Sequence, residues 1–286
     1  MTQKLSKTDL DFVIEIVQRR SGIVLTADKN YLIESRLSQI ARQNGDSSVC
    51  ELIKKIRLSM SESLLRQMTE AMTTNESLFF RDTKPFDYLQ TEMLSFFGKC
   101  RKNDRKIRFW SAAASTGQEA YSIAMTLLEA KTALGGLDFD IVGTDLSSDA
   151  IKKATLGEYS QFEIQRGMPA LLLAKYFSKT GSSFKAKPII GNKIKFEIFN
   201  LLDCPRKFGT FDVVFLRNVL IYFDVHTKKK VLDNIKSVLA PDGFLVLGGT
   251  ESTLGVTNDF DVVPSSRGIY KKNERGQNNF QRAAQQ

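Results

Sequence analysis

A loop of small residues lies between a candidate strand and a candidate helix in this sequence of 286 residues. Residues 107–110 are rich in β-prone side chains, residues 111–117 are all small, and residues 118–125 favour a helix. Small side chains allow the backbone to contact a ligand closely, and Gly117 can adopt torsions that other residues avoid. The pattern predicts the strand, turn and helix of a nucleotide-binding α/β fold.

Two acidic residues accompany this loop. Glu119 lies in the first turn of the predicted helix, which disfavours a diphosphate and favours a ligand with an amino group or a sulfonium. Asp145 ends a second candidate strand, where a carboxylate can accept hydrogen bonds from both hydroxyls of a ribose. In the alternative interpretation the loop is an ordinary connection, and Asp145 caps a helix that begins near Ser147 or Ser148. A dinucleotide oxidoreductase is a further alternative, but the sequence lacks a strict Gly-x-Gly-x-x-Gly pattern.

Short β-prone segments alternate with helical segments from about Arg105 onward. This alternation predicts an α/β domain with a largely parallel sheet that is covered by helices. The candidate strands are residues 107–110, 140–143, 194–199, 211–215, 244–247 and 268–271. Residues 177–197 contain two short β-prone pieces among glycine, serine and proline, and we expect a small β-hairpin-like insert there.

The first 72 residues have a different pattern, with apolar residues at the spacing of one helix face. Four helices are predicted, with faces formed by Leu10, Val13, Ile14 and Val17; by Ile33, Leu37, Ile40 and Ala41; by Val49, Leu52, Ile53 and Ile56; and by Leu64, Leu65, Met68 and Met72. We expect a small helical bundle. Residues 273–286 are polar and almost without apolar side chains, and we predict a disordered tail.

Composition narrows the class of protein. Lys and Arg number 41 against 32 Asp and Glu, a net charge of +9, so an acidic macromolecule is a plausible partner, although charge alone does not separate nucleic acid from protein. No apolar run approaches the roughly 18 to 20 residues that cross a bilayer, and charged residues interrupt the N-terminal stretch, so we expect neither membrane insertion nor export. The three cysteines form no Cys-x-x-Cys pair, which argues against a zinc site or a disulfide framework and favours the cytoplasm.

Five longer segments of the sequence carry a resemblance to a known protein family. They read TNESLFFRD at 74–82, WSAAASTGQE at 110–119, GTDL at 143–146, FDVVFLRNVLIYFD at 211–224 and LAPDGFLVLG at 239–248. These segments, taken in their order along the chain, resemble those of the CheR family, the chemotaxis receptor glutamate O-methyltransferases. The resemblance covers nearly the whole chain, to about Lys272.

The resemblance implies a fold and its division along the chain. We expect an N-terminal all-α domain at 1–72, a linker that contributes to the cofactor site at 73–90, and a Rossmann-like methyltransferase domain at 91–272. That domain would have a mostly parallel seven-stranded sheet and a small inserted antiparallel β-subdomain at about 177–197. The insert is shorter than in family members that hold a receptor's C-terminal tail.

The resemblance also implies which residues form the site. Arg81 and Tyr222 are expected at the reaction centre, with Arg81 near the methionine part of S-adenosylmethionine. Glu119 would bind the amino group of that cofactor and Asp145 its ribose. The complete set expected to bind the cofactor is Asn75, Ser77, Arg81, Glu119, Asp145, Asn200, Leu201, Leu216, Arg217 and Asn218.

The activity so implied is transfer of a methyl group from S-adenosylmethionine to glutamate side chains on chemoreceptor cytoplasmic helices. Such a carboxylate has an ordinary pKa of about 4.3 and needs no general base at neutral pH. We expect S-adenosylhomocysteine as product, no metal, no nucleic-acid partner and a monomer. The alternatives are a methyltransferase for another acidic macromolecule and an inactive cofactor-binding regulatory module.

The sequence departs from the family motifs at a few positions, and its helical segment carries a group of basic residues. Gln118 and Ala120 stand where the family more often has Glu and Pro, and residues 248–252 read GGTES in place of the more usual HSES. The helical segment carries several basic residues that could form a docking face for an acidic receptor helix. They are Arg36, Arg42, Lys54, Lys55, Arg57 and Arg66.

Overall fold

The computed structural model describes residues 5–26, 29–101 and 106–273. The contacts divide the chain into a helical unit, Met1–Thr74 with Tyr222–Thr227, and an α/β unit, Asn75–Ile221 with Lys228–Gln286. The tail predicted to be disordered, residues 273–286, lies outside the described residues except for Asn273.

The helical unit contains the four predicted helices. They are α1 Lys7–Ser21, α2 Asn30–Gln43, α3 Val49–Ser59 and α4 Glu62–Ala71. The hydroxyl of Ser6 accepts a hydrogen bond from the Asp9 N–H, and Ser48 does the same for Glu51, so serine caps satisfy N–H groups at the starts of α1 and α3. Val13, Leu37 and Ile53 are fully buried, which confirms the apolar faces that predicted a bundle.

A segment distant in sequence completes the helical unit. The Val24 N–H donates to the Tyr222 carbonyl at 2.9 Å, and Ile23 forms an antiparallel bridge with Phe223. The Gln18 side-chain amide donates to Asp224 at 3.1 Å. No local sequence pattern predicts this pairing, because about 200 residues separate the partners.

The α/β unit is built on a sheet of seven strands. Its strands are β1 Ile107–Ala112, β2 Phe139–Asp145, β6 Ile194–Ile198, β7 Phe211–Leu216, β8 Leu239–Leu247, β9 Phe260–Val262 and β10 Ile269–Lys272. They lie in the order β6-β2-β1-β7-β8-β10-β9, in which the first five are parallel and β10 pairs antiparallel with β8 and β9. Every residue of β7 is buried, as expected for a central strand covered on both faces. The predicted mostly parallel seven-stranded sheet is confirmed.

Helices connect and cover these strands. They are α5 Lys84–Tyr88, α6 Leu94–Cys100, α7 Gln118–Glu129, α8 Ser148–Leu156, α9 Gln161–Gln165, α10 Ala170–Tyr176, α11 Pro188–Gly191 and α12 Val225–Val238. A π-helical turn, Leu89–Met93, joins α5 to α6. Phe97, Phe109 and Ile123 are fully buried in the core between the helices and the sheet.

The small antiparallel sheet has three strands, β3 Glu158–Ser160, β5 Ser183–Ala186 and β4 Phe177–Thr180, in that order. The small sheet thus extends beyond the insert expected at 177–197, because it includes β3, which begins at Glu158. The last part of that expected range, Ile194–Ile198, belongs instead to the large sheet, where it pairs with β2. Three residues are too short for an alternating pattern to indicate a strand, which explains why β3 and β9 escape sequence analysis. Within the described residues, no helix combines the length and the apolar surface that spanning a bilayer requires.

Candidate functional site

The carboxyl ends of β1, β2, β6 and β7 meet at one edge of the large sheet, which we call the carboxyl edge. The sheet order places β2 and β6 on one side of β1 and places β7 and β8 on the other. In open α/β sheets, ligands bind outside the carboxyl ends of the strands at such a change of direction. The crevice after β1 and β7 is therefore the candidate site.

The loop that follows β1 has an unusual backbone. Ala113 and Ser115 adopt φ values of 64° and 52°, in the left-handed region, and Gly117 has a φ of 95°. A Cβ atom on Gly117 would lie 2.9 Å from the Cβ of Ala154, so glycine is required by space as well as by torsion. Left-handed residues other than glycine cost about 1–3 kcal/mol each and persist only where surrounding contacts hold them.

Asp145 is one of the residues that hold the loop after β1 in this conformation. Its carboxylate accepts hydrogen bonds from the backbone N–H groups of Ser115 at 2.8 Å and Ser147 at 2.9 Å. The side-chain cap of α8 is instead the Ser147 hydroxyl, which accepts from the Ala150 N–H. The alternative in which Asp145 serves only as that cap is therefore wrong. Asp145 thus joins the end of β2 to the loop after β1.

Glu119 is held from two sides at the start of α7. The Ser111 hydroxyl donates to one carboxylate oxygen at 2.7 Å, and the Arg217 guanidinium donates to the other at 2.9 Å. The Arg217 side chain is only 2% exposed and that of Glu119 is 12% exposed. This pair connects the end of β7 to the first turn of α7, because Arg217 follows Leu216 directly.

Arg217 also binds the segment that carries Arg81. Its second terminal nitrogen donates to the Arg81 carbonyl at 2.6 Å and to the Asp82 carboxylate at 3.0 Å. Phe80 and Asp82 have φ values of 50° and 56°, so this segment is strained in the same way as the loop after β1. The guanidinium thus holds the chain at Arg81 and Asp82, while the Arg81 side chain makes no hydrogen bond to any described residue.

Asn200 and Leu201 follow the end of β6, next to Asp145. The Phe199 N–H donates to the Asp145 carbonyl at 2.9 Å, which places Asn200 one residue beyond the last backbone pair with β2. The Asn200 side-chain oxygen accepts from the Leu202 N–H at 3.1 Å, and the Leu201 carbonyl accepts from the Asn234 amide at 3.0 Å. These contacts hold the turn beside Asp145.

The structure does not bring all the predicted residues into this network. Asn75 is exposed and Ser77 is half-buried, and neither side chain hydrogen-bonds to another described residue. Leu216 is fully buried within β7. Tyr222 belongs to the helical unit, where its carbonyl accepts from Val24.

Sequence reasoning missed Glu251, which is 7% exposed. Its carboxylate accepts hydrogen bonds from four backbone N–H groups, those of Asn218, Val219, Leu220 and Gly248. A sequence signal for Glu251 lies in the segment 248–252, because Glu251 and Ser252 match the last two residues of the more usual HSES.

The basic residues of the helical unit also differ from expectation. Arg36 donates to the carbonyls of Ala71 and Thr73 at 3.2 and 2.9 Å, and burial lowers its pKa. Arg57 pairs with Asp9. These two cations stabilise the unit internally, so the predicted docking face cannot include them as free charges.

Other members of that predicted set are also engaged. Lys55 pairs with Asp46, Arg66 with Glu70, and Arg42 donates to the Ser38 carbonyl. Lys54 is exposed and has no hydrogen bond or ion pair with a described residue. Charge reversal at Arg36 or Arg57, as a test of the docking face, would therefore also destabilise the helical unit.

Known families match both parts of the chain. Residues 8–73 match the family described as CheR methyltransferase, all-alpha domain, and residues 75–269 match CheR methyltransferase, SAM binding domain. The chain is 40% identical to chemotaxis protein methyltransferase Cher2 of Pseudomonas putida, over 93% of this chain and 98% of that protein. It is 38% identical to chemotaxis protein methyltransferase 1 of Pseudomonas aeruginosa, over 92% and 97% of the two chains. The corresponding protein of Salmonella typhimurium is 30% identical over 92% and 90%.

Proposed function

The chain belongs to the CheR methyltransferase family, and we propose that it transfers a methyl group from S-adenosylmethionine to glutamate side chains on the cytoplasmic domains of chemoreceptors. The products would be a glutamate methyl ester and S-adenosylhomocysteine. We propose that the protein acts in the cytoplasm as a monomer, without a metal and without a nucleic-acid partner.

One observation carries the proposal: the end of β1 and the loop that follows it hold two carboxylates, those of Glu119 and Asp145. Ser111 donates to Glu119 at the start of α7, and the Ser115 N–H donates to Asp145 at the end of β2. A ligand with an amino group at one end and a ribose at the other matches this pair of acceptors. The buried hydroxyl of Ser115, which has no partner among the described residues, adds a third polar atom in the same loop. The residues present therefore fit S-adenosylmethionine.

The other residues would act around these anchors. We propose that Asn200 and Leu201 lie beside the adenosine, and that Leu216 and Asn218 line the crevice after β7. Arg217 would act chiefly by orienting Glu119, because its terminal nitrogens are already engaged with protein groups.

The segment at 73–90 would complete the site as a linker between the all-α domain at 1–72 and the methyltransferase domain at 91–272. Asn75, Ser77 and Arg81 would reach the cofactor from it. Arg81 and Tyr222 would orient the attacking carboxylate against the methyl group.

Bound S-adenosylmethionine supplies a methyl group activated by a sulfonium. A substrate glutamate is already ionised at neutral pH, so the protein needs no general base. Glu119 and Asp145 would hold the cofactor, which would supply its methyl group to a substrate carboxylate oxygen while the electron pair of the carbon–sulfur bond stays with sulfur, so that a neutral ester and a neutral thioether would result. The protein's residues contribute alignment and exclusion of water, which can supply about 7–11 kcal/mol of a barrier.

The test uses labelled S-adenosylmethionine and receptor cytoplasmic fragments, with base-labile methyl esters as the readout. We expect Glu119→Gln to lower the specificity constant about 100-fold, since the loss of one charge-assisted contact in a buried site is worth about 1.5–3 kcal/mol. The matched control is Glu129→Gln at the other end of α7, where the carboxylate binds Lys175 and Tyr176 instead. Alkali-stable label on nucleic acid, or equal loss in both variants, would contradict the proposal.

A further inference from the structure

Glu251 organises the backbone after two neighbouring strands. One carboxylate oxygen accepts from the N–H groups of Asn218 and Gly248, both at 2.7 Å. The other accepts from Val219 at 2.9 Å and Leu220 at 2.8 Å. The last ladder pair of β7 and β8 is Leu216 with Leu247, so these N–H groups lie just beyond the sheet, where strand pairing no longer satisfies them.

The Glu251 carboxylate is buried and has no cationic partner among the residues that the structure describes. Glu251 is 7% exposed and forms no salt bridge with a described residue. Burial of an ionised carboxylate without compensation costs several kcal/mol, and convergent backbone N–H groups are the compensation that anion-binding turns use. Four such groups make this carboxylate the centre of the local structure and not a surface charge.

The surrounding backbone is shaped to that carboxylate. Asn218 has a φ of 57°, which turns successive N–H groups of residues 218–220 toward one point. A Cβ atom on Gly248 would lie 2.7 Å from the nearer Glu251 oxygen and 2.8 Å from the Asn218 side-chain nitrogen. A Cβ atom on Gly249 would meet nothing within 4 Å. Only the first of these adjacent glycines is therefore required by the carboxylate.

We propose that Glu251 is a positioning residue for methyl transfer. It fixes the chain that leaves β7, and thereby the place of Arg217, which immediately precedes Asn218 and holds Glu119. Loss of the carboxylate would release three consecutive N–H groups, and the Arg217 guanidinium would no longer present Glu119 in one orientation. This inference rests on the proposed function, because it assigns the oriented Glu119 to the cofactor.

The test measures binding of S-adenosylhomocysteine by calorimetry together with the KM and kcat of methyl transfer. Glu251→Gln replaces an acceptor oxygen with an amide donor that faces N–H groups, and we expect the Kd for S-adenosylhomocysteine to rise about tenfold or more. The KM for S-adenosylmethionine should rise in parallel, with a smaller change in kcat. Glu251→Asp retains the charge on a shorter side chain and should recover part of the affinity.

A pair of glycine variants separates positioning from general stability. Gly248→Ala keeps the carboxylate but displaces it, and should weaken S-adenosylhomocysteine binding, whereas Gly249→Ala should not. Hydrogen exchange at residues 218–220 should accelerate in Gly248→Ala only. These variants retain every ionisable group, so they test the idea even where Glu251→Gln does not fold.

The outcomes are distinct. If the unmodified protein binds no S-adenosylhomocysteine, the proposed function fails. If it binds, but Gly248→Ala and the Glu251 variants bind equally well, Glu251 does not position the site. A loss of thermal stability in Glu251→Gln with unchanged Kd would likewise overturn the inference.

Discussion

The helical unit and the carboxyl edge use polar side chains for different purposes. In the helical unit, Ser6 and Ser48 cap helices and Arg57 pairs with Asp9, so polar groups satisfy the unit's own needs. At the carboxyl edge, buried polar groups hold strained backbone, and the hydroxyl of Ser115 has no partner among the described residues.

Backbone strain also differs between the helical unit and the carboxyl edge. The described residues other than glycine with positive φ are Met60, Phe80, Asp82, Ala113, Ser115, Asn218 and Ser265. Five of these seven lie in the segments that Arg217, Asp145 and Glu251 hold. Strain persists where tertiary contacts over-determine it, and it is concentrated at binding and catalytic sites. Among the described residues of the helical unit other than glycine, only Met60 has a positive φ, at the C-terminal end of α3.

The strongest test of this difference is Arg217→Met. Removal of the guanidinium leaves the largely buried Glu119 carboxylate without its cation, which typically costs about 3–5 kcal/mol. We expect S-adenosylhomocysteine affinity to fall about 100-fold or more, by calorimetry, with a lower free energy of unfolding. Arg217→Lys should recover little, because an ammonium cannot reproduce the planar fork.

The control for that variant is Arg166→Met, which removes a more exposed pair with Glu76. Its effect on stability should be small, with unchanged cofactor affinity, because this ion pair is exposed to solvent. Equal cofactor affinity in the two methionine variants would remove the distinction between the carboxyl edge and the rest of the α/β unit.

A second test compares the two ends of β2. Asp145→Asn exchanges one acceptor oxygen for a donor against the N–H of Ser115 or Ser147, and we expect cofactor affinity to fall about 10- to 30-fold. Asp138 precedes β2 at its other end, and its hydrogen bond with Lys193 lowers its pKa to about 2. Asp138→Asn should leave affinity unchanged, and binding titrations that show equal losses would contradict the role of Asp145.

A third test concerns the helical unit. Arg36→Ala removes hydrogen bonds to the carbonyls of Ala71 and Thr73 after α4. We expect the free energy of unfolding in urea to fall by about 1–3 kcal/mol, because two backbone acceptors lose a charged donor. S-adenosylhomocysteine affinity should stay within about threefold of the unmodified protein, a difference below about 0.7 kcal/mol.

Lys54→Ala is the matched control for that variant, since Lys54 is an exposed cation of the same unit without a hydrogen-bond partner among the described residues. It should leave stability unchanged within about 0.5 kcal/mol. Equal unfolding curves for the two variants would show that Arg36 is only a solvated charge.

The smallest expected effect belongs to Ser115→Ala. Its hydroxyl is buried without a partner among the described residues, so its removal should not destabilise the protein. If the cofactor satisfies this hydroxyl, affinity should fall about 3- to 10-fold by calorimetry. Ser147→Ala provides the opposite case, because it removes the cap of α8 and should cost about 1 kcal/mol of stability with little change in affinity. Unchanged affinity in Ser115→Ala would show that the ligand does not use the hydroxyl.

Local patterns in the sequence predicted most of the architecture. Apolar spacing indicated the four helices of the helical unit, and apolar runs indicated six strands of the large sheet. They did not indicate β3 or β9, which are three residues long. They also did not indicate the return of Tyr222–Thr227 to the helical unit, because that segment pairs with residues far away in the chain.

For the candidate site, positions after predicted strands pointed to Glu119 and Asp145, and the family motifs added Arg81, Arg217 and Asn218 as predictions. The partner of each residue could not be identified in this way. Arg217 and Glu119 are 98 residues apart, and Glu251 binds N–H groups 31 to 33 residues earlier. Basic residues such as Arg36 were assigned to a surface because composition does not reveal which carbonyls lie within reach.

The sequence by itself determined the four helices of the helical unit and six strands of the large sheet, and that small residues and two acids follow the strands that meet at one edge. Those properties depend on spacing over a few residues, which the chain states directly. Only the tertiary structure decided that Arg217 orients Glu119, that Asp145 holds the loop after β1, and that Glu251 gathers the N–H groups after β7. Each of these depends on the register of parallel strands that are distant in sequence, and that register exists only once the sheet has formed.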